Sequence, residues 1–298
     1  MIMRWSLVLL AACGGAPPRP QAPADEVLFY QGVDAAKSRE TSRERAAFTQ
    51  LLAEYPHSRF RDDATIQLAD LAFDDKDLER ARTLYESVHR TDERGWYVRY
   101  RLAWVEYNQG AFDAAVGELT DLAARSQGVI HAQAVVDAAS WQYTRADELY
   151  AKHDMCAAAP LYAAVAATDT KQRDEAGYAN VLATITCQHL DGAVPDGSAA
   201  WAPVLAALDL YVTHATTIEP AARFLRGRIL YATDRWRDAA TEFRALLAAA
   251  PADPSAEPAA ALLLDSDVRA GVNPATDRKL ACAIHAPDLA TVCAQLAP

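Results

Sequence analysis

The sequence predicts an all-α fold: a right-handed superhelix, a solenoid of about six helix pairs, preceded by a short apolar leader and a proline-rich segment. Three observations predict it. Apolar and small residues recur at a spacing of 34 along the first half of the chain, the mark of a repeat array. The 298 residues include only 12 glycines and carry long alanine-rich runs, which favours packed helices over an all-β sandwich. Hydrophobic residues make up 51% of the chain, enough for a large core and incompatible with global disorder. The 29 Lys and Arg against 40 Asp and Glu give a formal charge of -11. That balance argues against nucleic acid as a partner, since phosphate contacts need clustered cations. It also argues against adsorption to an anionic membrane by charge alone.

Residues 1–12 read as a lipoprotein signal peptide. Arg4 is followed by the apolar run Ser6 to Ala12 (SLVLLAA) and then by Cys13. The run falls far short of the about 20 apolar residues that span a bilayer. Leu10-Ala11-Ala12-Cys13 resembles the bacterial lipobox. The resemblance implies that Cys13 is lipidated through its nucleophilic thiolate and becomes the first residue of the mature chain. Acyl chains on that residue would anchor it with about 0.8 kcal/mol per buried CH₂. Gly14, where an Asp would resemble an inner-membrane retention signal, favours the bacterial outer membrane with the chain facing the periplasm. Residues 13–24 then form the lipidated Cys and its tether. The stretch GGAPPRPQAPA contains four prolines, and at about 3.1 Å per residue it spaces the lipid from the folded part by roughly 30 Å.

Residues 25–190 are expected to form an N-terminal array. Leu68 recurs as Leu102, Ala69 as Ala103, Phe73 as Tyr107, Ala81 as Ala115, Tyr85 as Leu119 and Val88 as Leu122, each 34 residues on. The pattern of a small residue after Leu, then alanine, aromatic and aliphatic positions, is that of the tetratricopeptide repeat (TPR). Each unit is two helices, neither of which can bury its apolar stripe alone. Asp75-Lys76-Asp77 and Gln109-Gly110-Ala111 supply the turns between them. Upstream, Gly32, Phe48, Leu52 and Pro56 fit the same frame. Downstream, Tyr150, Ala158, Tyr162 and Val165 fit it after an insertion of about nine residues. Residues 191–298 are expected to hold the C-terminal TPR-like helices and cap. There Gly227, Tyr231, Ala239, Phe243, Leu246 and Pro251 match the frame again, and residues 259–297 read as short capping helices. The stretch 175–215 reads as a degenerate pair broken by the loop Asp191–Ser198.

Tyr55-Pro56-His57-Ser58, then Asp62-Asp63-Ala64 and Leu68-Ala69-Asp70, resemble the TPR proteins of bacterial envelopes. Two groups are similar: the BamD-type lipoprotein of the β-barrel assembly machine, and the periplasmic TPR domain associated with the Tol-Pal system. The resemblance covers residues 25–125. It implies a scaffold that holds protein partners at the inner face of an outer membrane, without naming the partner.

In TPR arrays the first helix of each pair lines a concave groove. The corresponding positions are Tyr97, Tyr100, Trp104, Tyr107 and Asn108 in one repeat, and Asp63, Asp70 and Asp74, with Ile66 and Phe73, in the one before. Tyr143, Asp147 and Tyr150 continue the face, as do Phe224, Arg228 and Tyr231. Helical spacing puts these aromatics on one side. An aromatic stripe flanked by carboxylates suits a peptide carrying Lys or Arg and apolar side chains. The alternative is that the aromatics pack between repeats.

Four cysteines remain besides Cys13, an even number in a chain read as exported. Cys156 lies about 14 residues before a turn near 168–174 and Cys187 about as far after it, so these two can meet. Cys282 and Cys293 flank His285-Ala286-Pro287, which fits a helical hairpin. Disulfides 156–187 and 282–293 are favoured. Free thiols remain open, as does a zinc set from His153, Cys156, Cys187 and His189. The sequence holds no Gly-x-Ser-x-Gly, no His-Glu-x-x-His, no phosphate loop and no dinucleotide fingerprint. The reading is a non-enzymatic, lipid-anchored scaffold with no cofactor and no metal, binding a protein or peptide in the cell envelope and touching the membrane only through its lipid. A glycan- or small-ligand-binding lipoprotein is the alternative.

Overall fold

Helices form because the apolar positions repeat every three to four residues, and several of them are closed by a left-handed residue just past their C-terminus. In the computed structural model, residues 22–284 and 287–295 are described, and among them no strand occurs. The chain divides into two compact units, one up to Ala111 and one from Phe112. The 191–198 loop interrupts the sequence, but the helices on either side of it pack together and share a core.

The first unit holds α1 (Ala24–Lys37), α2 (Thr41–Glu54), α3 (Arg61–Asp74), α4 (Leu78–Glu86) and α5 (Glu93–Asn108). α1 with α2 and α3 with α4 are helical hairpins. Phe48 and Leu51 of α2 are fully buried against Leu68 and Leu71 of α3, with Phe29 of α1 against the same core. Each such side chain contributes about 1.5–3 kcal/mol of burial. A second core joins Ala69 and Phe73 of α3 to Ala81 and Tyr85 of α4 and Val98 and Val105 of α5.

The second unit holds α6 (Phe112–Arg125), α7 (Gly128–Ala151), α8 (Met155–Ala166), α9 (Arg173–Cys187), α10 (Ala202–His214), α11 (Pro220–Ala232), α12 (Trp236–Ala249), α13 (Ala256–Arg269), α14 (Arg278–Ala281) and α15 (Pro287–Gln295). α7/α8, α9/α10 and α11/α12 are its hairpins. The insertion of about nine residues read ahead of Tyr150 falls within α7, which runs to 24 residues. Of the expected short capping helices, α13 is a full 14-residue helix packed on α12, whereas α14 and α15 are short.

A small residue in the first helix of a pair faces a large one sixteen positions later. A Cβ on Gly32 would lie 2.5 Å from the Phe48 ring, and one on Gly227 would lie 2.5 Å from the Phe243 ring. Ala69 and Tyr85 share one core, as do Ala146 and Tyr162, and all four are buried. Seven residues after each small residue the backbone turns left-handed, at Arg39, Lys76, His153 and Asp234, and at Gly110 after Ala103. The next amide then reaches back to close the helix, as Asp77 does to the Ala72 carbonyl and Arg235 to that of Leu230. This Schellman closure satisfies the carbonyls that a helix end exposes. Asp77 and Asp154 then cap the following helix by accepting from the amides of Arg80 and Ala157.

Two disulfides staple the second unit. Cys156 at the start of α8 bonds to Cys187 at the end of α9, and Cys282 bonds to Cys293 of α15. The sulfurs of Cys156 and Cys187 are thereby spent on each other, so no thiolate pair is left for the zinc set. His153 and His189 are left-handed turn residues instead. Among the described residues, no helix is long and apolar enough to cross a membrane.

Candidate functional site

The face read as a groove in the first unit is built by α3 and α5. Asp70 sits at its centre and is committed inside the molecule. Its carboxylate accepts from the Tyr85 hydroxyl and from the Tyr97 hydroxyl at 2.9 Å, and Arg101 Nε stands 3.0 Å away. The Arg101 guanidinium also lies 4.2 Å from the centre of the Phe73 ring. Burial pushes the Asp70 carboxyl up, against the pull of Tyr85 and Arg101, and burial together with Asp70 pushes the phenols of Tyr85 and Tyr97 up. Asp63 is half-buried and pairs with Arg94 at 2.6 Å. Burial raises its carboxyl despite that cation. Tyr100 is buried at 8% exposure and belongs to the interior. Tyr97, Trp104 and Tyr107 are half-buried, with the Trp104 and Tyr107 rings edge to face at 6.2 Å. Asn108 donates back to the Trp104 carbonyl, and Asp74 is exposed at the end of α3. The carboxylates expected to flank this aromatic stripe are therefore largely structural, because arginines unseen in the groove pattern neutralise them.

The second unit is different. Asp147 is exposed, Tyr150 is 38% exposed and Tyr143 is half-buried along α7. All three gather around the buried Tyr162 of α8. Its hydroxyl donates to Asp147 at 2.5 Å, and its ring meets Tyr143 and Tyr150 edge to face at 5.8 and 6.3 Å. Tyr143 also reaches across to α9, donating to Glu175 at 3.4 Å. Tyr231, the last predicted groove residue, donates to Asp265 and packs 5.2 Å from Trp236, with Arg269 over both rings. Burial pushes Asp265 up, but Tyr231 and Arg269 outweigh it and hold the carboxyl below its ordinary value. Cys13 lies outside the described residues.

A cavity that the groove pattern did not include opens beside α9, with a volume of about 290 Å³. Tyr178, Ala179, Leu182 and the buried Tyr211 form its walls, and Asp174, Glu175 and Glu219 rim it. The sequence signal for it was Gly177. A Cβ there would lie 2.5 Å from the Tyr211 ring, so this glycine is what lets α10 approach α9. Among the described residues, no group of three or more His, Cys, Asp or Glu is placed to hold a metal.

Comparison with known proteins bears on the fold. Residues 20–134 match the family model described as tetratricopeptide repeat-like domain. Among solved structures, a tetratricopeptide repeat protein from Parabacteroides merdae is 11% identical, with 91% of this chain and 96% of that chain covered and a TM-score of 0.38. The TPR2AB domain of yeast Sti1, solved in a complex with pHSP90, is 11% identical over 82% of this chain and 98% of that one, with a TM-score of 0.32. PilF from Pseudomonas aeruginosa is 13% identical over 78% and 95%, with a TM-score of 0.33. At such scores nothing is carried over from these three proteins. No curated protein matches. The hairpins seen from α1 onward agree with that match, so residues 20–134, less than half of the chain, are similar to a tetratricopeptide repeat-like domain.

Proposed function

We propose that this chain is a non-enzymatic scaffold, lipid-anchored at Cys13 in the bacterial envelope, that holds a protein or peptide partner on the exposed helix faces of its hairpins. The observation that carries the interaction reading is the similarity of residues 20–134 to a tetratricopeptide repeat-like domain. The aromatic stripe of Tyr143 and Tyr150 beside Asp147 on α7 supports it. Tyrosines offer contact area at small rotamer cost and are frequent interface anchors. The anchor and the outer-membrane, periplasm-facing location rest on Leu10-Ala11-Ala12-Cys13 and on Gly14.

Two experiments test the two halves. A photo-crosslinking amino acid at Tyr150, used in intact cells, should give a discrete polypeptide adduct that disappears on Tyr143→Ala; a face that yields no polypeptide adduct is not a protein-binding face. Metabolic labelling with palmitate should mark the chain and be lost in Cys13→Ser. Label retained in that variant would refute lipidation at residue 13.

A further inference from the structure

We infer that the cavity beside α9 is a recognition pocket for one lysine or arginine side chain of a bound peptide, its aliphatic stem lying on Tyr178 and Leu182 and its charged head between Glu175 and Glu219. The inference rests on the scaffold reading above and adds the chemistry of the partner. It is not inherited from the matched domain, since α9, α10 and the loop before α11 all lie beyond residue 134.

The size of the cavity comes first. About 290 Å³ is at the lower edge of the roughly 300–1,000 Å³ that small-molecule sites span, room for one long side chain and too small for a large cofactor. The wall chemistry comes second. Tyr178 and Leu182 are one helical turn apart, and the Tyr211 ring, 6.0 Å from that of Tyr178 at 39°, closes the back over Gly177. An aromatic and aliphatic wall under a carboxylate rim fits side chains that bury a methylene stem and keep a cationic head in water.

The rim charges are the third observation. Asp174 is already used: it accepts from the amides of Thr216 at 3.0 Å and Thr217 at 2.9 Å and from the Thr216 hydroxyl. The neighbouring cation Arg173 is 3.0 Å from Asp169 and 3.9 Å from Asp174. Among the described residues, Glu175 has only the Tyr143 hydroxyl at 3.4 Å, and the Glu219 side chain forms no ion pair. Two carboxylates thus face one apolar cleft without a cation, on a chain whose net charge is -11. Burial raises the phenol of Tyr178, and the nearby Glu219 carboxylate adds to the shift.

The test uses the full chain and two probes. In amide NMR, n-butylguanidinium should shift the signals of Glu175, Tyr178, Leu182 and Thr217 saturably, and n-butanol should not. Each of Glu175→Gln and Glu219→Gln should weaken the guanidinium about fivefold; both residues are exposed, so the variants fold. Equal shifts from the alcohol, or guanidinium binding unchanged in the double variant, would overturn the pocket. In parallel, a random peptide library is selected against wild type and the double Gln variant. Enrichment of Lys or Arg between apolar residues, lost in the variant, supports the inference. Peptides enriched without Lys or Arg, or equally by both proteins, sink the pocket and leave the scaffold standing. No enriched peptide at all sinks both.

Discussion

Phe243 occupies the hollow left by Gly227: its Cε1 lies where a Cβ on residue 227 would be only 2.5 Å away. The same relation joins Phe48 to Gly32, and where the first helix carries Ala69 or Ala146 the partner is Tyr85 or Tyr162. Gly227→Ala should therefore destabilise the chain by about 1–3 kcal/mol, the usual range for overpacking a tight core. Shrinking the partner in the same molecule, Gly227→Ala with Phe243→Leu, should recover part of that loss, since Leu is the residue the array itself uses at position 119. Denaturant melts of the two single variants and the double give the coupling. Additive effects would show that the two residues do not compete for this space.

Two tyrosines in second helices each donate to an aspartate fifteen residues earlier, Tyr85 to Asp70 and Tyr162 to Asp147. The surroundings separate them. Asp70 also answers Arg101 and Tyr97, whereas Asp147 is exposed. Asp70→Asn strands a half-buried guanidinium and should cost about 2–4 kcal/mol; Asp147→Asn should cost about 1 kcal/mol or less. Equal losses in thermal or chemical melts would contradict this division of roles.

Asp267 of α13 and Asp277 before α14 form a buried acid pair beside Arg244. Arg244 binds Asp277 at 2.9 and 2.5 Å and stays 3.8 Å from Asp267. Ionised, Asp267 Oδ2 finds no donor; protonated, it donates to Asp277. Burial first, and then Asp277, push Asp267 up to about 6, while Arg244 holds Asp277 below its ordinary value. A raised carboxyl stabilises the fold below its ordinary value of 3.8, and that contribution is lost as pH climbs through about 6. Asp277 contributes in the opposite sense, losing its share as pH falls. Asp267→Asn should flatten the pH 4–7 slope of the melting temperature and add about 1–3 kcal/mol at pH 8. A slope as steep as wild type would remove Asp267 from the explanation.

Opening Cys156–Cys187 releases a loop of 31 residues and should cost about 3–4 kcal/mol, against about 3 kcal/mol for the 11-residue separation of Cys282–Cys293. Unfolding of the paired Cys→Ala variants measures both. A smaller loss at 156–187 than at 282–293 would mean that loop length does not set the order here.

Much of this was legible in the residues. The alanines at the 34-residue spacing, with Phe73 and Tyr85, are buried between helices, because steric closeness leaves few residue types at such positions. The left-handed residues were not legible, since of the five that follow a small residue by seven positions only Gly110 is a glycine. Asp70 read as a groove carboxylate because its neutralising partner, Arg101, comes 31 residues later and sequence spacing does not show which side chains meet. The cleft at Tyr178 was hidden for a similar reason. α9 runs on to Cys187 and the long connection 188–201 follows, so Tyr211 comes 34 positions after Gly177 instead of sixteen; the small-to-large pairing is present but out of step.

α9 is moored at both ends, by Cys187 to α8 at its C-terminus and by Asp174 to the amides of Thr216 and Thr217 at its N-terminus. A helix fastened this way has little freedom left to surrender when something settles on its outer side. The ordering entropy of any complex formed there falls on the incoming molecule. Reduction of the sulfur bridge would shift part of that burden back to this chain, so affinity at α9 would track the redox state of the surroundings even though neither cysteine lines the cleft.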